Sequence, residues 1–191
     1  MRWGGMAKLI YVTNMSVDGF IEDEHGEFNL YEPDDEVFAA TTELIRSVGT
    51  FLYGRRLYET MAVWETDPAL AAQSDLSAEF AAAWLAADKV VYSTTLTTVS
   101  TTHTRLEDHF DAASTRDLKR RATRDLAVGG ADLAGQSISA GLVDECLLFV
   151  WPSILGGGKP ALPMNARADL ELLDQRRFGN GVLLLRYRVR T

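Results

Sequence analysis

Apolar runs and helical stripes alternate along most of the chain, and the period of each stretch sets the element expected there. Lys8 to Met15 (KLIYVTNM) is β-rich and nearly continuous in apolar character, as in a strand covered on both faces. Ser16-Val17-Asp18-Gly19-Phe20 breaks it, and a polar loop follows over 23–29. Pro33-Asp34-Asp35-Glu36 opens a helix: proline suits a first turn, and three carboxylates complement the positive end of the dipole. Val37, Thr41, Leu44, Ile45 and Val48 keep helical spacing, with Gly49 as the stop. Thr50 to Tyr53 is a short strand ending in Gly54-Arg55-Arg56. Leu76, Phe80 and Trp84 mark the next helix, and Lys89 to Tyr92 the next strand, which ends in Ser93-Thr94-Thr95.

Ser114 or Thr115 caps a short basic helix through Arg121. Asp125 to Val128 is a strand, Gly129-Gly130 a sharp turn, and Ala131 to Ser139 a helix. Asp144 to Pro152 reads as the longest strand, and Leu170 to Arg176 with Val182 to Val189 form an antiparallel pair around Gly179-Asn180-Gly181. Strand and helix alternate early, and two strands meet at the end. The expectation is therefore an α/β fold with a mostly parallel sheet, an antiparallel C-terminal edge and helices on both faces.

Composition narrows this picture without changing it. With 191 residues, 47% hydrophobic and 24% charged, the chain suits one domain, folded over about 7–190, with its own core. The lone cysteine, Cys146, sits in an apolar run and reads as a small buried hydrophobe. A net charge of −8 speaks against nonspecific nucleic-acid binding. The longest apolar stretch, Cys146 to Pro152, is too short to span a bilayer. Residues 1–6 lack the features of a signal peptide, so a cytoplasmic protein is expected.

Ligands of such sheets bind beyond the carboxyl ends of the strands. Four strand ends carry small, polar or basic residues: Asn14 to Gly19, Gly54 to Arg56, Ser93 to Thr95, and Gly129 to Asp132. Gly129-Gly130 before a helix suits an anion or, equally, a tight packing turn; it is neither a Walker A loop nor a full G-x-G-x-x-G. Arg55 and Arg56 suit a phosphate or a solvated turn. Ser93, Thr94 and Thr95 suit phosphate or adenine contacts, or a capped loop. Asp18 can orient a substrate hydroxyl or close an Asx-turn. Gly156-Gly157-Gly158-Lys159-Pro160 reads as a mobile turn or a place of close approach. His25, His103 and His109 share no spacing, and no motif suggests a metal.

Taken in order, six segments resemble the C-terminal reductase domain of the bacterial riboflavin-biosynthesis deaminase-reductase and its stand-alone relatives in the dihydrofolate reductase superfamily. They are Ser16 to Phe20, Gly54 to Glu59, Val90 to Leu96, Val128 to Leu133, Gly141 to Glu145, and Pro152 to Gly158. The resemblance implies a three-layer dihydrofolate-reductase-like fold, NADPH as hydride donor, a small polar heterocyclic or sugar-bearing substrate, and a homodimer. It places Gly54, Arg55, Arg56 and Leu57 near the cofactor phosphates, and Ser93, Thr94 and Thr95 near the adenosine phosphate. Val128, Gly129, Gly130, Ala131, Asp132 and Leu133 fall at the pyrophosphate, and Asn14, Ser16 and Gly19 near nicotinamide and substrate. Asp18 is the first candidate for orienting substrate or relaying a proton, and Asp34 the second. Three departures stand out. Leu57 replaces a threonine common in relatives, and Val128 stands where riboflavin reductases commonly have glutamate. Asp34 and Phe38 keep the spacing of a pterin anchor without its proline-tryptophan signature. A dihydrofolate or pterin reductase, and a non-catalytic NADPH-binding or sensor protein, are the alternatives.

Overall fold

A computed structural model describes residues 6–27 and 34–190. Pro33 and the end of the polar loop over 23–29 lie outside the described residues. The first strand, β1 (Leu9–Ser16), runs through the middle of an eight-stranded sheet. Five further strands lie parallel: β3 (Val48–Gly54), β4 (Asp88–Tyr92), β5 (Thr104–Glu107), β6 (Asp125–Gly129) and β7 (Glu145–Trp151). The last two, β9 (Asp169–Arg177) and β10 (Leu183–Arg190), form an antiparallel ribbon that joins β7 through β10. The sheet order is β5-β4-β3-β6-β1-β7-β10-β9. A separate two-stranded pair links β2 (Phe20–Glu22) to β8 (Lys159–Pro160).

Alternation along the strands explains the three layers. Leu9, Tyr11, Leu52, Val90, Leu126 and Val128 pack on one face with Leu118 of α5 (Ala112–Arg121) and Leu133 and Ala134 of α6 (Ala131–Ser139). Phe51, Tyr53, Val91 and Ala127 pack on the other face. Their partners are α1 (Asp35–Ser47), α2 (Arg55–Thr66) and α4 (Asp75–Leu85), which bring Ile45, Tyr58, Ala62, Phe80 and Trp84. A four-residue helix, α3 (Pro68–Ala71), links α2 to α4. Strands covered on both faces need apolar residues at successive positions, which is why their sequences run nearly unbroken.

Several expectations are revised. Helix α2 starts at Arg55, directly after β3, where the sequence suggested only a strand end. Gly49 lies inside β3 instead of stopping α1, because the backbone there runs so close to Arg124 that any Cβ would collide. Helix α5 is capped by Asp111, whose carboxylate accepts from the Ser114 amide at 2.7 Å; Ser114 and Thr115 lie within the helix. Strand β7 has 7 residues and is shorter than β9 with 9. Cys146 is buried, and burial pushes its thiol up to about 11. Among the described residues no helix is long and apolar enough to cross a membrane.

Away from the crest, Glu145 is buried and bridges Lys8 at 2.6 Å and Arg186 at 2.8 Å. Burial alone would raise its carboxyl, but the bonds and charges of Arg186 and Lys8 outweigh that and hold it below the usual range. A folded-state value below the unfolded one adds stability above about pH 4.3, and that stability is lost as pH falls through the folded value. Arg186→Ala is expected to cost about 1–3 kcal/mol at neutral pH and to flatten the loss of stability on acidification. Denaturant midpoints of both proteins at neutral and acid pH check this.

Candidate functional site

Six helices are described, and four carry a side-chain N-cap: Asp34 on α1, Asp67 on α3, Ser74 on α4 and Asp111 on α5. The other two, α2 and α6, have glycine at that position, Gly54 and Gly130, with no side-chain cap. Their first-turn amides are thus left for another acceptor, at the positive end of each dipole. Both open into one cleft of about 520 Å³ on the carboxyl crest of β4, β3 and β6.

Gly54 to Leu57 form one wall of this cleft, Tyr92 to Thr95 and Asp108 to Phe110 the second, and Gly129 to Leu133 with Gln136 the third. Gly130 has φ +89 and ψ 129, a backbone that side chains rarely tolerate, and a Cβ there would stand in open space. Gly129 lies so close to Leu57 that a Cβ would collide with it. The Ser93 hydroxyl accepts from the amides of Thr95 at 3.1 Å and Leu96 at 3.0 Å, which shapes the loop and leaves Thr94 and Thr95 exposed at the rim. Burial raises the Tyr92 phenol, so it stays protonated. Arg55, Arg56 and Lys159 face this cleft against the carboxylates of Asp108 and Asp132. The site is thus locally cationic in a chain of net charge −8. Arg55 pairs with Glu59 at 3.5 Å and Arg56 meets Glu22 only at 4.0 Å, so both guanidiniums are held loosely.

The structure thus brings together Gly54, Arg55, Arg56, Leu57, Ser93, Thr94, Thr95, Gly129, Gly130, Ala131, Asp132 and Leu133. Asn14 and Val128 line an adjoining chamber instead. Ser16 and Gly19 line neither. The Ser16 hydroxyl takes the Phe20 amide at 3.0 Å, and the Gly19 carbonyl accepts from Ala161 at 2.8 Å. Asp18 also lies outside both. Its carboxylate accepts from Leu155 at 3.1 Å and Gly156 at 2.8 Å, clamping the glycine-rich loop. The Ser16 hydroxyl, followed by these amides, holds it below the ordinary carboxylate range. Asp34 caps α1 by accepting from Val37 at 3.0 Å.

Sequence reasoning missed Tyr92, Asp108, His109, Phe110, Gln136 and Lys159 at the cleft. The β2–β8 pairing carries Lys159 there, and no local pattern specifies that pairing. Among the described residues no group of three or more His, Cys, Asp or Glu side chains could hold a metal.

Sheet order and crest define the class: an α/β protein of the dihydrofolate-reductase-like type, with a cleft at the carboxyl ends of the strands. The chain belongs to the RibD C-terminal domain family, whose model matches residues 7–184. It is 28% identical over 187 residues to the uncharacterized protein YyaP of Bacillus subtilis, covering 94% of each chain. A putative riboflavin biosynthesis protein from Shewanella sp. PV-4 superposes with TM-score 0.75 at 18% identity, over 96% of this chain and 99% of that one. A diaminohydroxyphosphoribosylaminopyrimidine deaminase/5-amino-6-(5-phosphoribosylamino)uracil reductase from Thermotoga maritima superposes with TM-score 0.63 at 13% identity, over 97% of this chain and 57% of that one.

Proposed function

We propose that the protein is an NADPH-dependent reductase that holds the dinucleotide along the crest cleft and passes hydride to a small organic acceptor. One observation carries this reading: the two described helices without a side-chain cap both have glycine at the N-cap and both open into the same cleft. Free amides at a helix N-terminus suit phosphate oxygens, and two such termini facing one groove suit a pyrophosphate. Glycine at 54 and 130 lets a ligand approach the backbone, and the space beside both positions is open. The residues present therefore fit the group.

In this reading Gly130, Ala131 and Asp132 donate amides to the pyrophosphate. Arg55 and Arg56 take the ribose phosphate that distinguishes NADPH from NADH, through the planar fork that suits phosphate. Thr94 and Thr95 donate hydroxyls at the rim. When bound, NADPH supplies the hydride; the chain's tasks are to orient it, to hold the acceptor against it and to keep water away. A homodimer fits the same reading, because β9 leaves an open sheet edge that carries Leu170 and Leu172, exposed by 40% and 50%.

Asp18 is assigned a positioning role on the glycine-rich loop. Asp18→Asn keeps an acceptor oxygen and is expected to retain most turnover, whereas Asp18→Ala is expected to lose roughly tenfold. Equal damage from both variants would instead mark a proton relay. The reading as a whole is tested by following loss of reduced-nicotinamide absorbance across flavin precursors, pterins and carbonyl compounds. Sustained consumption with one acceptor is expected; binding without turnover on every compound would replace the enzyme with a nucleotide-binding protein.

A further inference from the structure

The Leu57 side chain and Gly129 line both the cleft and a second chamber of about 220 Å³ between the sheet and helices α1, α2 and α4. The chamber lies beside the proposed dinucleotide path and is smaller than the roughly 300–1,000 Å³ of pockets that hold drug-sized ligands. Its walls are Val12, Leu44, Ile45, Phe51, Met61 and Phe80. Phe80 is fixed by stacking on Phe38 at 5.0 Å and by Trp64 at 4.4 Å, which makes that wall rigid and flat.

Among the described lining residues four side chains are polar, and each has a partner. Thr13 donates to the Asn14 carbonyl at 3.1 Å and Thr41 to the Val37 carbonyl at 2.9 Å. The Tyr53 hydroxyl accepts from the Trp84 indole at 3.4 Å, and burial raises its phenol far above the neutral range. The fourth is Asn14. Its Oδ1 accepts from the Trp151 indole at 2.9 Å, and because an indole only donates, the Asn14 amide group is turned so that Nδ2 is the donor offered elsewhere. No Asp, Glu, Lys, Arg or His is found among the described lining residues.

A charged group entering such a chamber would lose its hydration without gaining a counter-ion, which is far costlier than burying a neutral ring. We infer that the hydride acceptor is a neutral, mostly apolar one- or two-ring carbonyl or imine compound without phosphate, held by Asn14 Nδ2 on its heteroatom. This rests on the reductase reading and departs from a phosphoribosylated substrate, because no cationic side chain stands among the described lining residues to neutralise a phosphate. In the reaction a C–H bond forms at the acceptor carbon, using the hydrogen and electron pair of the reduced nicotinamide dinucleotide. The carbon–heteroatom π bond opens onto the heteroatom, a proton from water completes it, and the dinucleotide leaves oxidised.

The test is equilibrium binding, by ligand-observed NMR and calorimetry, of naphthyl methyl ketone, naphthoate and uridine monophosphate to the full chain with and without NADPH. The ketone is expected to bind at least roughly tenfold more tightly than either anion. Met61→Trp, which fills the chamber, is expected to remove ketone binding while NADPH affinity is kept. Asn14→Leu, which removes the donor together with the acceptor of the Trp151 indole, is expected to weaken the ketone roughly tenfold and serves if the filled variant does not fold. Naphthoate or uridine monophosphate binding as tightly as the ketone overturns the inference, as does a ketone that ignores both variants. Should the ketone behave as expected while NADPH fails to bind, the chamber stands as a neutral-ligand site and the reductase reading is the part that falls.

Discussion

Gly130→Val is expected to abolish NADPH binding, with affinity falling by more than about 100-fold while the protein still folds. Two causes act together. At φ +89 and ψ 129 the backbone lies outside the range of a β-branched residue, which costs about 1–3 kcal/mol. The new side chain would also stand in the open space before the amides of α6, where a phosphate must approach. The strain alone predicts a fall in melting temperature of several degrees for a chain of this size. Gly54→Ala is the control. Its φ of −78 and ψ of 165 are ordinary, nothing lies within 4 Å of the added Cβ, and the fold should be unaffected. Calorimetric titration with NADPH beside thermal melts separates the two effects. Unchanged affinity in Gly130→Val would mean that the α6 terminus holds no phosphate.

The second large effect is expected at the arginine pair. Arg55→Gln with Arg56→Gln should weaken NADPH by about 100-fold and NADH by much less, because charge-assisted bonds of about 1.5–3 kcal/mol each are lost only where the extra phosphate is present. Stability should hardly change, since both side chains are exposed and their ion pairs, at 3.5 and 4.0 Å, are weak. Parallel titrations with both dinucleotides check this. Equal losses for the two would move the ribose phosphate away from α2.

Much of this architecture was legible because the local signals agreed. β1 stood out by its unbroken apolar run, and α6 by the glycine pair before it. The ribbon of β9 and β10 stood out by Gly179-Asn180-Gly181 between two alternating strands. The missed elements lacked such signals or were misread. β5 is the short, mostly polar segment TRLE on a sheet edge, so half of it faces solvent and no apolar period marks it. α2 has only Tyr58 and Ala62 fully buried, and two arginines at its start resemble a turn. Gly49 looked like a helix stop because glycine serves both purposes; its tight contact with Arg124 comes from a residue 75 positions away.

The cleft was more legible than the chamber for the same reason. Apart from Lys159 on β8, the cleft segments follow strand ends of the main sheet, and the topology of a parallel sheet sends those ends to one crest. The chamber needs Thr41 from α1, Met61 from α2 and Phe80 from α4, and only tertiary packing brings those together. The sequence left Asp18 open between a substrate contact and an Asx-turn, and offered Asp34 as a first-turn carboxylate or a pterin anchor, because the amides that donate to a carboxylate need not be local. Asp18 holds amides 137 and 138 residues downstream. Asp34 turned out to cap the helix it precedes, a role its position before Asp35 and Glu36 already allowed.

The most direct test is a paired titration of the native protein with NADPH and NADH, followed by quenching of tryptophan fluorescence. Saturable binding with NADPH preferred by about tenfold or more is the predicted result. Equal affinity for the two, or no binding of either, would contradict a crest built to hold a phosphorylated dinucleotide.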